Sequence, residues 1–166
     1  MQEEKKVMIA RENDAVGHYV RFNGNDIALA AKMLDALSTT IEIVYYLMNR
    51  GEERSFVLML VTAEEAEVGQ VLKEQKRDTD ILFELDKEQS IYAIICQDTK
   101  IDGGYHFGER VMRHLKMNEA KAPYCIELEV RNTTYEIKYI IFKLMETYLQ
   151  SKKEKRSGEI VYKTIM

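Results

Sequence analysis

The order of apolar and turn-forming segments predicts an α+β domain with a ferredoxin-like βαββαβ core. From Ser55 onward, strand-length apolar runs and amphipathic segments follow one another as strand, helix, hairpin, helix and strand. In that arrangement the helices cover one face of an antiparallel sheet. A long helix precedes the core, and one more helix and strand follow it. The chain has 166 residues, 46% apolar and 31% charged, which suits one compact domain.

The helical lead-in is predicted by apolar residues spaced three and four positions apart. Asn25 or Asp26 is the expected N-cap, and Gly51 stands where a helix end favours a left-handed residue. Residues 1–24 hold two short apolar pieces around a polar turn, and we interpret them as an arm or a loose hairpin. The apolar stripe of the helix comprises Ile27, Ala30, Leu34, Leu37, Ile41, Val44 and Met48.

The core begins with an unbroken apolar run at residues 55–61. A run of this length without polar interruption is typical of a strand that is covered on both faces. Thr62 and Glu65 then match a capping box, which predicts a helix that extends to about Lys76.

A hairpin and a second helix are predicted next. Residues 80–85 and 91–96 have strand composition and flank the polar turn 86–89. Asp102-Gly103-Gly104 then introduces a helix to about Met117, with its apolar residues four apart.

The last part of the chain predicts a strand, a helix and a final strand. Residues 124–131 alternate apolar and polar side chains, as in a half-buried strand. Thr133 and Glu136 match a second capping box before a long amphipathic helix. A basic connector leads to a strand at residues 159–165.

Composition excludes several classes of protein. The net charge of −4, from 24 basic and 28 acidic residues, leaves no basic excess, so DNA and RNA are not expected partners. The longest apolar runs, 41–48 and 56–61, are too short to cross a bilayer, and the charged N-terminus lacks a secretory signal. Cys96 and Cys125 form neither a disulfide framework nor a zinc site. We expect a cytoplasmic domain with inert thiols and no membrane insertion.

Four short segments form a pattern in register with the predicted hairpin. Arg77-Asp78-Thr79-Asp80 is an RxxD directly before the first hairpin strand, and Gln97-Asp98-Thr99 ends the second strand. Glu109-Arg110 follows on the next helix, and Ser157-Gly158 precedes the last strand. Over about residues 40–166, this series resembles the GGDEF domain, the nucleotidyl-cyclase-like fold that makes cyclic di-GMP from two GTP.

Departures from the family pattern bear on catalysis. The hairpin turn reads Asp86-Lys87-Glu88-Gln89-Ser90 where the family has its G-G-D/E-E-F signature, so side chains replace the two glycines that let GTP approach. The first strand ends in Leu60-Val61-Thr62 where the family has a metal-ligating Asp. Two-metal phosphoryl transfer needs carboxylates at such positions. The resemblance therefore implies a degenerate GGDEF-like domain at residues 25–166, with no cyclase activity and no cofactor.

The resemblance also implies a ligand site. Arg77, Asp80 and Arg110 match the family's product-binding inhibitory site, and Arg113, one turn further along the helix, is a possible helper. Guanidinium groups pair bidentately with phosphate or with guanine O6 and N7, and a carboxylate accepts from guanine N–H. RxxD also occurs at Arg11-Glu12-Asn13-Asp14, where no role is implied. The alternatives are structural roles. Arg77 neutralises a helix C-terminus, Asp80 caps the entry to a strand, and Arg110 pairs with a nearby acid on the surface.

Two functions from different classes follow. The first is a cyclic di-GMP receptor that signals to a protein partner. The second is a ligand-free interaction or dimerisation module, in which the apolar helix at residues 27–48 supplies a seam between two copies of the chain. An active cyclase is the third possibility, and turnover of GTP with Mg²⁺ would reveal it.

Overall fold

The computed structural model describes residues 20–51 and 54–165, so most of the predicted N-terminal arm lies outside the described residues. The predicted class and the βαββαβ core are confirmed. The elements are α1 (Gly24–Asn49), β1 (Phe56–Glu64), α2 (Val68–Gln75), β2 (Asp80–Asp86), β3 (Ile91–Gln97), α3 (Ile101–Met117), β4 (Lys121–Val130), α4 (Ile137–Lys153) and β5 (Ile160–Ile165).

One five-stranded sheet organises these elements, in the order β2-β3-β1-β4-β5. The central strand β1 pairs antiparallel with β3 and β4, and β2 pairs antiparallel with β3. The added strand β5 pairs parallel with β4 and forms one edge of the sheet. The first eight residues of β1 are buried, as the unbroken apolar run predicts.

Helices cover both faces of the sheet. Helices α2 and α3 pack on one face against Val57, Met59 and Val61 of β1. Helices α1 and α4 pack on the other face against Phe56 and Leu58 of the same strand. The expectation of one covered face therefore holds for the two core helices, while α1 and α4 close the opposite face. No helix of the described residues is long and apolar enough to cross a membrane.

Helix α1 begins two residues earlier than predicted. Its N-cap is Asn23, whose side chain accepts from the Asp26 N–H at 2.9 Å, while the Asp26 carboxylate accepts from the Asn23 N–H at 2.9 Å. Gly51 has a φ of +83°, as its position predicts. Four members of the predicted apolar stripe, Ala30, Leu37, Ile41 and Val44, are buried in the chain's own core, whereas Ile27 is 59% exposed. The seam between two copies stays a prediction.

The two predicted capping boxes at Thr62 and Thr133 are also wrong. Thr62 lies within β1, and neither α2 nor α4 has a side-chain N-cap. The Thr62 hydroxyl donates to the Gln89 carbonyl at 3.1 Å and so anchors the hairpin turn. The Thr133 hydroxyl donates to Asn49 Oδ1 at 2.8 Å. Both hydroxyls bond to partners that are distant in sequence and that local spacing does not reveal.

Candidate functional site

The RxxD segment forms the turn between α2 and β2. Asp80 is buried, and its Oδ2 accepts from the Arg77 backbone N–H at 2.8 Å. Its Oδ1 accepts from Arg77 Nε at 3.2 Å and from Nη2 at 2.9 Å. The hydrogen bond with Asp80 raises the pKa of Arg77 above its ordinary value. Asp80 therefore closes the turn and fixes the orientation of a permanently charged guanidinium.

A second set of acceptors holds Arg77 from the end of β3. Nη2 also donates to the Gln97 carbonyl at 2.9 Å and to Thr99 Oγ1 at 2.7 Å. This loop is itself held by Ser55, whose hydroxyl donates to the Thr99 carbonyl at 2.9 Å and whose carbonyl accepts from the Thr99 N–H at 3.2 Å. The side chain of Arg77 is nevertheless 52% exposed. A guanidinium that is oriented and exposed in this way can bind an anion with little further ordering.

Arg77, Asp80 and Arg110 line one hollow of about 110 Å³. Arg110 comes from α3, where its guanidinium lies 5.2 Å from the centre of the Phe107 ring and Nη2 donates to the Gln75 carbonyl at 3.3 Å. The fold thus brings together the three residues that the resemblance singled out. The hollow is smaller than the roughly 300–1,000 Å³ of typical ligand pockets, so a nucleotide would lie over it as over a shallow cleft.

Arg113 does not join this group. It lines a separate cavity of about 710 Å³ between α3 and β5. Three residues along an α-helix leave a side chain about 60° from the starting direction, which is enough to reach a different neighbour. The expected helper role of Arg113 at the Arg77 hollow is therefore not supported by its position.

The hairpin turn at the position of the family signature is closed by its own side chains. Asp86 accepts from the Gln89 N–H at 3.1 Å and from its side-chain amide at 3.3 Å. A cavity of about 440 Å³ lies between this hairpin and the start of α2, and Lys87 lines it. The Tyr92 ring packs against α2 so closely that a Cβ on Gly69 would lie 2.8 Å from the tyrosine hydroxyl.

Both cysteines are buried, as expected for inert thiols. Burial raises the pKa of the Cys96 and Cys125 thiols above their ordinary value, which disfavours the reactive thiolate. Within residues 20–51 and 54–165, no group of three or more His, Cys, Asp or Glu side chains is arranged to hold a metal ion.

Strand β4 carries two buried carboxyl groups that the sequence pattern did not predict. Glu127 and Glu129 alternate with apolar residues and are both 0% exposed, because α3 covers this face. Glu129 is well satisfied: Oε1 accepts from Arg131 Nε at 3.0 Å and from Thr164 Oγ1 at 2.9 Å. Its Oε2 accepts from the Ile101 N–H at 2.9 Å, at the start of α3.

Glu127 has almost no polar partners. Among the described residues, its Oε1 has no hydrogen-bond partner, and its Oε2 accepts only from the Cys125 thiol at 3.8 Å. Helix α3 lies directly on the carboxyl group, since a Cβ on Gly104 would be 2.7 Å from Oε1 and one on Gly108 would meet Oε2. Burial raises the pKa of Glu127 to about 8. In the sequence, the spacing of Gly104 and Gly108 by four residues is the local sign that α3 approaches β4 closely.

Comparison with known proteins supports the fold. No protein-family model and no curated protein matches the sequence. One similar solved structure is the active GGEEF domain of a diguanylate cyclase from Vibrio cholerae, with a TM-score of 0.59 and 8% identity over 72% of this chain and 89% of that one.

Two further solved structures are similar. The diguanylate cyclase SiaD of Pseudomonas aeruginosa, in complex with its activator SiaC, has a TM-score of 0.58 and 13% identity over 90% of this chain and 64% of that one. The GGDEF domain of DgcB from Caulobacter crescentus, in complex with c-di-GMP, has a TM-score of 0.52 and 10% identity over 87% of this chain and 96% of that one.

These similar structures indicate the class of fold. The five-stranded sheet with its flanking helices is a nucleotidyl-cyclase-like α+β fold. Within that class, the similar structures are GGDEF domains of diguanylate cyclases, and this chain has a GGDEF-like fold.

Proposed function

We propose that this chain is a catalytically inactive GGDEF-like domain that binds cyclic di-GMP and signals to a protein partner. One observation carries the proposal: Arg77, Asp80 and Arg110 come from two separate elements and line one exposed hollow. Two guanidinium groups that line one hollow suit the phosphates and guanine edges of a cyclic dinucleotide.

In this proposal Asp80 positions Arg77. Both carboxylate oxygens already accept hydrogen bonds from Arg77, so Asp80 contacts a guanine N–H only if that pair opens. The free donors are those of Arg77 Nη1, which makes no hydrogen bond with the described residues, and the exposed edge of Arg110. The arginines supply the charge and the aspartate supplies the geometry.

Inactivity is proposed from the side chains around the hairpin. Two-metal phosphoryl transfer needs carboxylates that hold Mg²⁺ ions beside the phosphates. Lys87 stands at the turn, and the Glu84 carboxylate accepts from the Tyr92 hydroxyl at 3.1 Å. The Tyr92 ring fills the space beside Gly69 of α2.

Calorimetric titration with cyclic di-GMP tests the proposal, with cyclic di-AMP and GTP as controls. Charge-assisted hydrogen bonds contribute about 1.5–3 kcal/mol, so Arg77→Ala and Arg110→Ala should each weaken binding by about ten-fold or more. Arg113→Ala is the matched control: it removes an arginine one turn further along α3 that lines another cavity, and affinity should not change. Unchanged affinity in Arg77→Ala would refute the site.

The second candidate is a ligand-free interaction module on the same fold. The saturated hydrogen bonding of Asp80 favours it, because the RxxD pair satisfies itself without a ligand. In that case cyclic di-GMP gives no heat and no change in Tm. Detectable turnover of GTP with Mg²⁺ would contradict both candidates.

A further inference from the structure

Strand β5 lies at one edge of the sheet. It pairs with β4 alone among the described residues and is the last strand in the sheet order. In an edge strand, alternate residues point their N–H and C=O groups away from the sheet, where another extended segment can pair with them. Six residues of β5 pair with six residues of β4 in a regular register, with no bulge that would turn this edge away from another strand.

A groove flanks each face of this edge. On one side a cavity of about 710 Å³ lies between β5 and α3, and Ile160 and Tyr162 line it. On the other side a cavity of about 320 Å³ lies between β5 and α4, and Val161 and Lys163 line it. Because side chains alternate along a strand, a segment added to β5 would place successive side chains in one groove and then the other.

Three cations in these grooves have no partner among the described residues. The side chains of Arg113 and Lys116 in the α3 groove and of Lys163 in the α4 groove make no hydrogen bond or ion pair with the described residues. Two carboxylates of the grooves form ion pairs, Glu159 with Arg156 and Glu146 with Lys143. Glu109 and Glu154 have hydrogen-bond partners instead, which are His106 and Gln150.

Aromatic surface adds to the α3 groove. The Tyr105 and Tyr162 rings meet edge to face with their centres 5.6 Å apart, and Tyr162 is 53% exposed. Met117, at the end of α3, is 71% exposed in the same cavity. Exposed tyrosine and methionine beside unpaired cations are typical of surfaces that bind a protein segment.

We propose that β5 is a docking edge for an extended acidic segment of a partner protein, which adds to the sheet as a further strand. Main-chain pairing holds the segment, and acidic side chains meet Arg113, Lys116 and Lys163. Two copies of β5 placed edge to edge would bring like charges together, so a second copy fits less well. This inference deepens the signalling half of the proposed function and does not depend on cyclic di-GMP binding.

The test uses the full chain and a fluorescein-labelled eight-residue peptide that repeats Thr-Thr-Glu-Glu, which places Glu side chains on both faces of an added strand. Binding is followed by fluorescence anisotropy and backbone amide NMR. We expect binding with amide shifts concentrated on β5, and at least about a ten-fold loss of affinity in an Arg113→Glu, Lys116→Glu double variant. The matched control is Lys73→Glu with Lys87→Glu, the same charge change in the cavity beside α2 and β2. It should bind the peptide as the unmodified chain does.

Two further peptides separate strand addition from general charge attraction. The same peptide with Lys in place of Glu should not bind, and the acidic peptide N-methylated at alternate amides should lose binding because its donors are removed. No binding up to about 1 mM acidic peptide, equal losses in both double variants, or shifts centred on β2 would each overturn the proposal. Arg77→Ala should bind the peptide normally, so failure at this edge is distinguishable from failure of the cyclic di-GMP site.

Discussion

Glu127→Gln should make this protein more stable relative to the unmodified chain as the pH rises. The Glu127 carboxyl is 0% exposed and lies under α3, and one of its oxygens has no partner in the part of the chain that the structure describes. Burial raises its pKa from 4.5 to about 8, so the folded state favours the protonated acid. A glutamine has nearly the same shape and cannot ionise.

The magnitude follows from linkage between proton binding and folding. Because the pKa of Glu127 is higher in the folded than in the unfolded state, its ionisation lowers the free energy of unfolding. This loss is absent below about pH 4.5 and grows as the pH rises to about 8. Each pKa unit corresponds to about 1.4 kcal/mol, which gives about 3 kcal/mol at pH 7 and about 5 kcal/mol above pH 8. Burial of the unpaired amide subtracts a constant of about 1–3 kcal/mol. The amide term does not change with pH, so the test is the pH dependence of the stability difference between Glu127→Gln and the unmodified chain.

Urea unfolding at a series of pH values measures that slope. Between about pH 5.5 and 7.5, the difference in free energy of unfolding between Glu127→Gln and the unmodified chain should grow by about 1.4 kcal/mol per pH unit. Parallel stability curves would refute the reasoning. Glu129→Gln is the matched control, two residues along the same strand: its carboxylate bonds Arg131, Thr164 and the start of α3, so this variant should lose about 1–3 kcal/mol at pH 7.

Three other predictions, with five substitutions, test the geometry. Gly104→Ala should lower stability by about 1–3 kcal/mol because its Cβ would lie 2.7 Å from a buried carboxyl oxygen of Glu127. Gly103→Ala is the control: the nearest atom to its Cβ lies at 3.4 Å, so it should be neutral or stabilising. Thermal unfolding of both variants measures the difference. Asn23→Ala should cost about 1 kcal/mol by loss of the capping box and Asn25→Ala much less, as measured by urea unfolding. Asp80→Asn should weaken cyclic di-GMP binding in calorimetry with the arginine still present, because the arginine loses its orientation; undiminished affinity would contradict that positioning role.

The sequence by itself determined the elements and the candidate trio. Apolar spacing of three and four gave α1, and the two strand-length runs around residues 86–89 gave the hairpin. These patterns depend on neighbours within a few positions, which the sequence displays directly. The resemblance to GGDEF domains brought Arg77, Asp80 and Arg110 together before any coordinates did, because it supplied long-range information that local spacing does not hold.

Only the tertiary structure decided which polar groups are buried and which cavity each side chain lines. An alternating strand leaves open whether its polar face meets water, and the packing of α3 on β4 buries Glu127 and Glu129 completely. The same packing places Arg113 beside β5 instead of beside Arg77. Which polar side chains are buried, and which side chains line one cavity, depends on the elements that pack together from distant parts of the sequence. That packing is a cooperative property of the complete core.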